Sequence, residues 1–226
     1  MEDVRRLGIV PLVIFCGAVL LGMAALLTWL AYSSHYLWNN PRHHFEENTP
    51  STWSSVACFL ATGVLAIHVR NMLRTRGDAF SRFWMILGVS FILAGLDDGL
   101  RLHEEADKLI LKLLGLPDEG IYDHLDDVFI LGYGVVVGLL SLPYVREVFR
   151  LRGFVGFCFV GAGLYAVTVL ADFGGWLPFV EEGAKMLAAA CFLCAVATAY
   201  RTLRNRLAEN AGKTAATSPA ISGSDA

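Results

Sequence analysis

Residues 83–107 read FWMILGVSFILAGLDDGLRLHEEAD. A run of 14 largely apolar residues, Phe83 to Leu96, leads directly into the acidic pair Asp97 and Asp98. As a helix with a rise of about 1.5 Å per residue, 83–102 covers about 30 Å, the thickness of a bilayer's hydrocarbon core. The stretch therefore reads as a membrane span with ionisable groups at one end.

Working outward, five more apolar segments have comparable length: about 8–32, 52–70, 124–145, 154–171 and 176–200. The whole chain is 55% hydrophobic and 17% charged, with a mean hydropathy of +0.53. That composition leaves too little polar surface for a water-soluble domain. Backbone polar groups in lipid must be paired within each segment, which favours helices, and the alternating pattern of a membrane barrel is absent. The expected fold class is all-α: a polytopic membrane helical bundle with six transmembrane helices, an uncleaved first span, and both termini in the cytoplasm. The expected span domain is 1–204, followed by a disordered cytoplasmic tail at 205–226.

Orientation comes from the cations. With the N-terminus inside, 13 of the 18 Lys and Arg residues fall on the inner side, including Arg5, Arg6, Arg74, Arg82, Arg150 and Arg204. Inner connections of membrane proteins carry this excess. The expected location is a membrane, specifically a bacterial inner membrane, with membrane lipids as partners. A net charge of −3 and the lack of a basic patch argue against a nucleic-acid partner. The sequence leaves the oligomeric state open. The five cysteines lie inside apolar blocks and read as inert packing residues, Cys191-x-x-Cys194 included.

On this topology 15 of the 21 carboxylates and five of the six histidines gather at the outer side. Asp97, Asp98, Glu181 and Glu182 fall inside or at the ends of spans, where a charged group costs about 2.5–3.5 kcal/mol to insert. Helical spacing groups Asp97, Arg101 and Glu104 (i, i+4, i+7), His124 with Asp127, and Glu181 with Lys185. Local ion pairs, Asp97 with Arg101 and Glu181 with Lys185, account for part of the pattern. Carboxylates remain in excess.

Carboxylates and imidazoles converging from several helices suit a divalent cation: Mg²⁺, Ca²⁺ or Mn²⁺ for oxygen ligands, Zn²⁺ where imidazole joins. The candidate metal ligands are Asp98, His103, Glu104, His124, Asp127 and Glu182, and the candidate general bases are Glu104 and Glu182. Small residues, notably Gly134-x-x-x-Gly138 and Gly153 to Gly163, mark expected helix-packing faces.

Glu181-Glu182-Gly-Ala-Lys185 resembles the EExxK element of glutamate-type intramembrane proteases, the group that includes CAAX-processing enzymes. The resemblance covers five residues and implies a paired glutamate that activates water. The later FxxxE or FxxxH and HxxxD or HxxxN elements of that group do not follow Lys185, and the HxxxD formed by His103 and Asp107 lies upstream. The expected function is a metal-dependent membrane hydrolase acting on a lipid-type substrate at the outer leaflet. The alternatives are a cation- or proton-coupled transporter and a structural or sensory subunit stabilised by a salt-bridge layer.

Overall fold

The computed structural model of the chain describes residues 14–30 (except 24 and 27), 49–115 (except 76), 125–173 and 178–217; at 104, 125–127, 172–173, 178, 211 and 213–217 it describes the backbone only. Among the described residues all regular structure is helical. The order is α1 (Ile14–Leu30), α2 (Pro50–Arg74), α3 (Ser81–Leu100), α4 (Leu102–Leu114), α5 (Leu125–Ser141), a 3-10 turn at Leu142–Tyr144, α6 (Val145–Phe149), α7 (Arg152–Phe173) and α8 (Pro178–Thr217).

Among the described residues five stretches are long and apolar enough to cross a membrane: Pro50–Arg74, Ser81–Leu100, Val128–Phe149, Arg152–Ala171 and Phe179–Asn210. They coincide with five of the six expected segments. The segment expected at 8–32 corresponds to the shorter apolar helix α1. The expected disordered tail needs correction over 205–217, which continue α8. The reason is local: the stretch holds four alanines with Arg206, Leu207, Glu209 and Lys213, all strong helix formers, and the first proline beyond it is Pro219. At 40 residues α8 is about 60 Å long, roughly twice the hydrocarbon thickness.

The bundle forms around α8. Its buried alanines, among them Ala188, Ala189, Ala190, Ala195 and Ala199, leave room for neighbouring backbones, the usual basis of helix association in lipid. α2 and α7 pack along α8, and α3 packs along α2. Met23 and Leu30 of α1 fill a cluster with Cys58 and Phe59 of α2 and Met186 of α8. α2 and α3 cross at two glycines. A Cβ on Gly63 would lie 2.8 Å from the carbonyl oxygen of Gly88, and one on Gly88 would lie 3.1 Å from that of Gly63.

The glycine faces read from the sequence are used selectively. A Cβ on Gly153 would meet Thr198 Cγ2 at 2.5 Å, and one on Gly161 would meet Phe192 Cε1 at 3.0 Å, so these two seat α7 on α8. Gly134 and Gly138 have nothing within 4 Å of a built Cβ, so the GxxxG of α5 packs against none of the described helices. α5 instead leans on α3 and α4, tied by Tyr133, whose hydroxyl donates to the carbonyl of Ser90 at 2.6 Å.

The two ends of the bundle differ in chemistry. At one end Phe83, Trp84 and Phe154 interlock, with ring centroids 5.2 Å (Phe83 to Trp84) and 5.5 Å (Trp84 to Phe154) apart. Arg74, Arg82 and Arg152 flank this end, and Arg206 donates to the carbonyl of Arg150 at 3.3 Å. The N-terminal ends of α2, α5 and α8 and the C-terminal ends of α3 and α7 meet at the other end, around a cavity.

Candidate functional site

The site begins with a break in a helix. α3 stops at Arg101, the sole non-glycine with positive φ among the described residues (φ 56, ψ 41). This left-handed conformation costs a non-glycine residue about 1–2 kcal/mol. The Arg101 N–H donates to the carbonyl of Asp97, and α4 starts in a new direction at Leu102. Asp97 then closes the break with both oxygens. Its Oδ1 accepts the backbone N–H of His103, and its Oδ2 lies against His103 Nδ1, each at 2.9 Å. The carboxylate thus satisfies an N-terminal N–H of α4, the work of a capping side chain.

This geometry corrects the spacing argument. A continuous helix would align Asp97 with Arg101 and Glu104. The break at Arg101 instead pairs residues six apart, which no unbroken helix does. The stop expected at Gly115 is in place, with Gly115 in the left-handed conformation (φ 67) that glycine tolerates.

A second group forms across α2, α3 and α8. Lys185 Nζ lies 3.1 Å from Asp98 Oδ1 and 2.5 Å from Glu182 Oε1. Ser55 of α2 donates to Asp98 Oδ2 at 2.8 Å. Lys185 and Asp98 are 14% exposed and Glu182 5%. A charge withdrawn this far from water persists when it is paired, and Lys185 serves two carboxylates at once. Asp98 reaches it across 87 positions of sequence, a partnership that helical spacing does not reveal.

Both groups open onto one cavity of about 510 Å³, within the range of small-molecule sites. Its wall combines Asp97, Asp98, His103, Glu182 and Lys185 with apolar and aromatic surface from Phe59, Leu93, Phe129, Tyr133 and Tyr165. Arg101 and Glu181, grouped by helical spacing with Asp97 and Lys185, also line it, as do Thr52 and Thr168, which carry no sequence signal. Thr52 sits in the first turn of α2 with no motif around it. The packing of α3 and α8 against α2 brings it to the site.

Of the six expected metal ligands, the structure brings Asp98, His103 and Glu182 to this cavity. Asp98 and Glu182 share Lys185, and His103 is held by Asp97. Glu104 and Asp127 are described by backbone only, within α4 and α5, and His124 lies outside the described residues. Among the described residues no group of three His, Cys, Asp or Glu side chains has metal-holding geometry. Of the two expected general bases, Glu182 reaches the cavity but engages Lys185, and the side chain of Glu104 is outside the described residues. Cys191 and Cys194 are buried as free cysteines in α8, as expected of packing residues.

Fold and site together define a membrane protein, helical over the described residues, with a charged cavity near one end of its bundle. A family model described as Domain of unknown function (DUF8692) matches residues 12–200, and the chain belongs to this family. The match spans every cavity residue, from Thr52 to Lys185. No curated protein and no solved structure matches the chain.

Proposed function

We propose that the chain is a membrane-embedded hydrolase acting on a lipid-type substrate, with His103 as its chemical centre. One observation carries this reading: Asp97 Oδ2 holds His103 Nδ1 at 2.9 Å in the wall of a cavity that is partly charged and partly apolar. A carboxylate that accepts from Nδ1–H selects the tautomer whose lone pair is on Nε2. That nitrogen is then suited to take a proton from water or to ligate a metal, and carboxylate–histidine pairs of this kind orient both bases and ligands.

The metal form of the proposal assigns a divalent cation, Zn²⁺ or a harder ion, to His103 with Glu104, His124 and Asp127. Asp98 and Glu182 are the weaker candidates, because the Lys185 ammonium repels a second cation at their shared position. The membrane frame of the proposal is six spans with both termini cytoplasmic, in a bacterial inner membrane. Its support is the Arg-rich end of the bundle opposite the cavity; in this frame the site faces the outer leaflet.

The test is turnover of a panel of fluorescent ester- and amide-linked lipids by purified protein, with metal content measured on the same samples. His103→Ala is expected to abolish turnover, and a chelator to do so only in the metal form. Turnover indifferent to His103→Ala rejects the proposal.

A second reading, a cation- or proton-coupled transporter, has its own observation in the Asp98–Lys185–Glu182 group within the spans. Intramembrane carboxylates commonly serve proton or cation pathways. Uptake into liposomes that is lost in Asp98→Asn would favour it.

A further inference from the structure

The cavity carries information about its ligand beyond the reaction type. Among the described residues four carboxylates line it, Asp97, Asp98, Glu181 and Glu182, against two permanent cations, Arg101 and Lys185. The lining is therefore negative by two charges, or by one with His103 protonated. Two buried polar atoms at the same wall point to something that binds there. Thr52 is 4% exposed, and among the described residues its Oγ1 makes no hydrogen bond. Glu182 gives Oε1 to Lys185, while its buried Oε2 has no partner at bonding geometry among the described residues, with the Ser51 hydroxyl beside the carboxylate. Buried polar atoms in native structures are generally satisfied, so each such exception calls for a partner.

We propose that this cavity binds the primary ammonium headgroup of a single-chain amphiphile that reaches it from the lipid phase. The inference rests on the lipid-substrate reading above and specifies its headgroup. An ammonium brings three N–H donors and a positive charge. Glu182 Oε2 and Thr52 Oγ1 are available acceptors, and the carboxylate excess supplies the field. Tyr133, Tyr165, Phe59 and Phe129 add faces on which a cation is attracted. An anionic headgroup would meet a lining of its own sign, with Lys185 already committed to two carboxylates.

The route from the lipid phase lies between α5 and α7. Phe129, Ile130 and Tyr133 form the α5 wall and Tyr165 and Val169 the α7 wall. α5 packs on α3 and α4 without comparable packing on α7, and none of its apolar window is buried in the bundle. α4 borders this side. Leu102, Leu109 and Leu113 project outward from it, at 49%, 58% and 75% exposure, while Glu105 and Lys108 sit on its charged flank. That pattern suits a helix lying at the membrane surface. A chain attached to an ammonium in the cavity can thus remain in hydrocarbon.

The experiment is a thermal-shift titration of full-length protein in neutral detergent with dodecylamine, dodecanol, dodecanoate and butylamine. Dodecylamine should raise Tm saturably, with dodecanol, dodecanoate and butylamine at least tenfold weaker. Thr52→Val and Glu182→Gln should each weaken dodecylamine at least fivefold. Thr52→Val, nearly equal in shape, keeps the test decisive if Glu182→Gln does not fold. No saturable shift, dodecanoate as tight as dodecylamine, or unchanged affinity in Thr52→Val would overturn the proposal. Butylamine as tight as dodecylamine would point to a soluble amine and overturn the lipid assignment. The hydrolase reading fails separately: dodecylamine binding is read by melting without turnover, whereas that reading is judged by turnover of the lipid panel.

Discussion

Asp97 holds His103 at two points, the backbone N–H through Oδ1 and the ring Nδ1 through Oδ2, both at 2.9 Å. One carboxylate therefore caps α4 and orients the imidazole, so the direction in which α4 leaves the bundle and the tautomer of His103 are set together. The left-handed turn at Arg101 makes this possible, because it brings position 103 back beneath position 97.

The two roles separate by substitution. Asp97→Asn keeps one carbonyl oxygen for the His103 N–H but loses the charge and the second acceptor. We expect little change in melting and a turnover loss of roughly 10- to 100-fold, the usual penalty for removing a group that orients a histidine. Asp97→Ala should lose about 1 kcal/mol of stability as well, from the missing cap. Thermal melting and lipid turnover measured on the same preparations check this. Equal turnover of Asp97→Asn and wild type would remove the orienting role.

Lys185 is the residue on which the buried charges depend. Lys185→Met leaves Asp98 and Glu182 without their shared cation, and stranding buried charge costs about 3–5 kcal/mol. Adding Asp98→Asn and Glu182→Gln to Lys185→Met should restore much of that loss, because the neutral amides need no counter-ion. Lys108→Ala, which removes an exposed pair with Glu105, should change stability by less than about 0.5 kcal/mol. Unfolding in a graded denaturing detergent distinguishes these outcomes. A triple variant no more stable than Lys185→Met would argue against charge as the cause.

The glycines should divide by location. Gly63→Ala forces a Cβ to within 2.8 Å of the Gly88 carbonyl oxygen and 2.6 Å of Ile92 Cγ1, so α2 and α3 must separate, at about 1–3 kcal/mol. Gly134→Ala and Gly138→Ala meet nothing and should be neutral or stabilising by up to about 1 kcal/mol, the helix-propensity gain. Melting temperatures of the three variants test the assignment. A marked loss in Gly138→Ala would indicate a partner on the open face of α5.

The proposed orientation can be read by labelling. Lys108 is exposed on α4 beside the cavity end, and Arg204 is exposed at the opposite end of α8. A membrane-impermeant maleimide should label Lys108→Cys in intact cells and Arg204→Cys only after lysis. The native Cys16, Cys58, Cys191 and Cys194 are buried and should stay silent, and the half-buried Cys158 is replaced by Ala in the labelling background. The reverse pattern would invert the topology.

What the sequence by itself determined is much of what depends on one helix at a time. The apolar lengths located the spans, the Lys and Arg distribution separated the two ends of the bundle, and Gly115 marked the end of α4. All follow from a fixed helical rise, the cost of charge in hydrocarbon and the freedom of glycine. The tertiary structure alone decided what meets what. Residues 98 and 185 join because α3 and α8 both pack against α2, and Thr52 of α2 reaches the cavity by the same packing. The Arg101 break replaced the expected i, i+4, i+7 face with the Asp97–His103 pair, since a non-glycine residue enters the left-handed region only where surrounding hydrogen bonds offset its cost. Periodicity gives the face of each helix, but the partner across the bundle depends on shape at the contact, which no local pattern encodes.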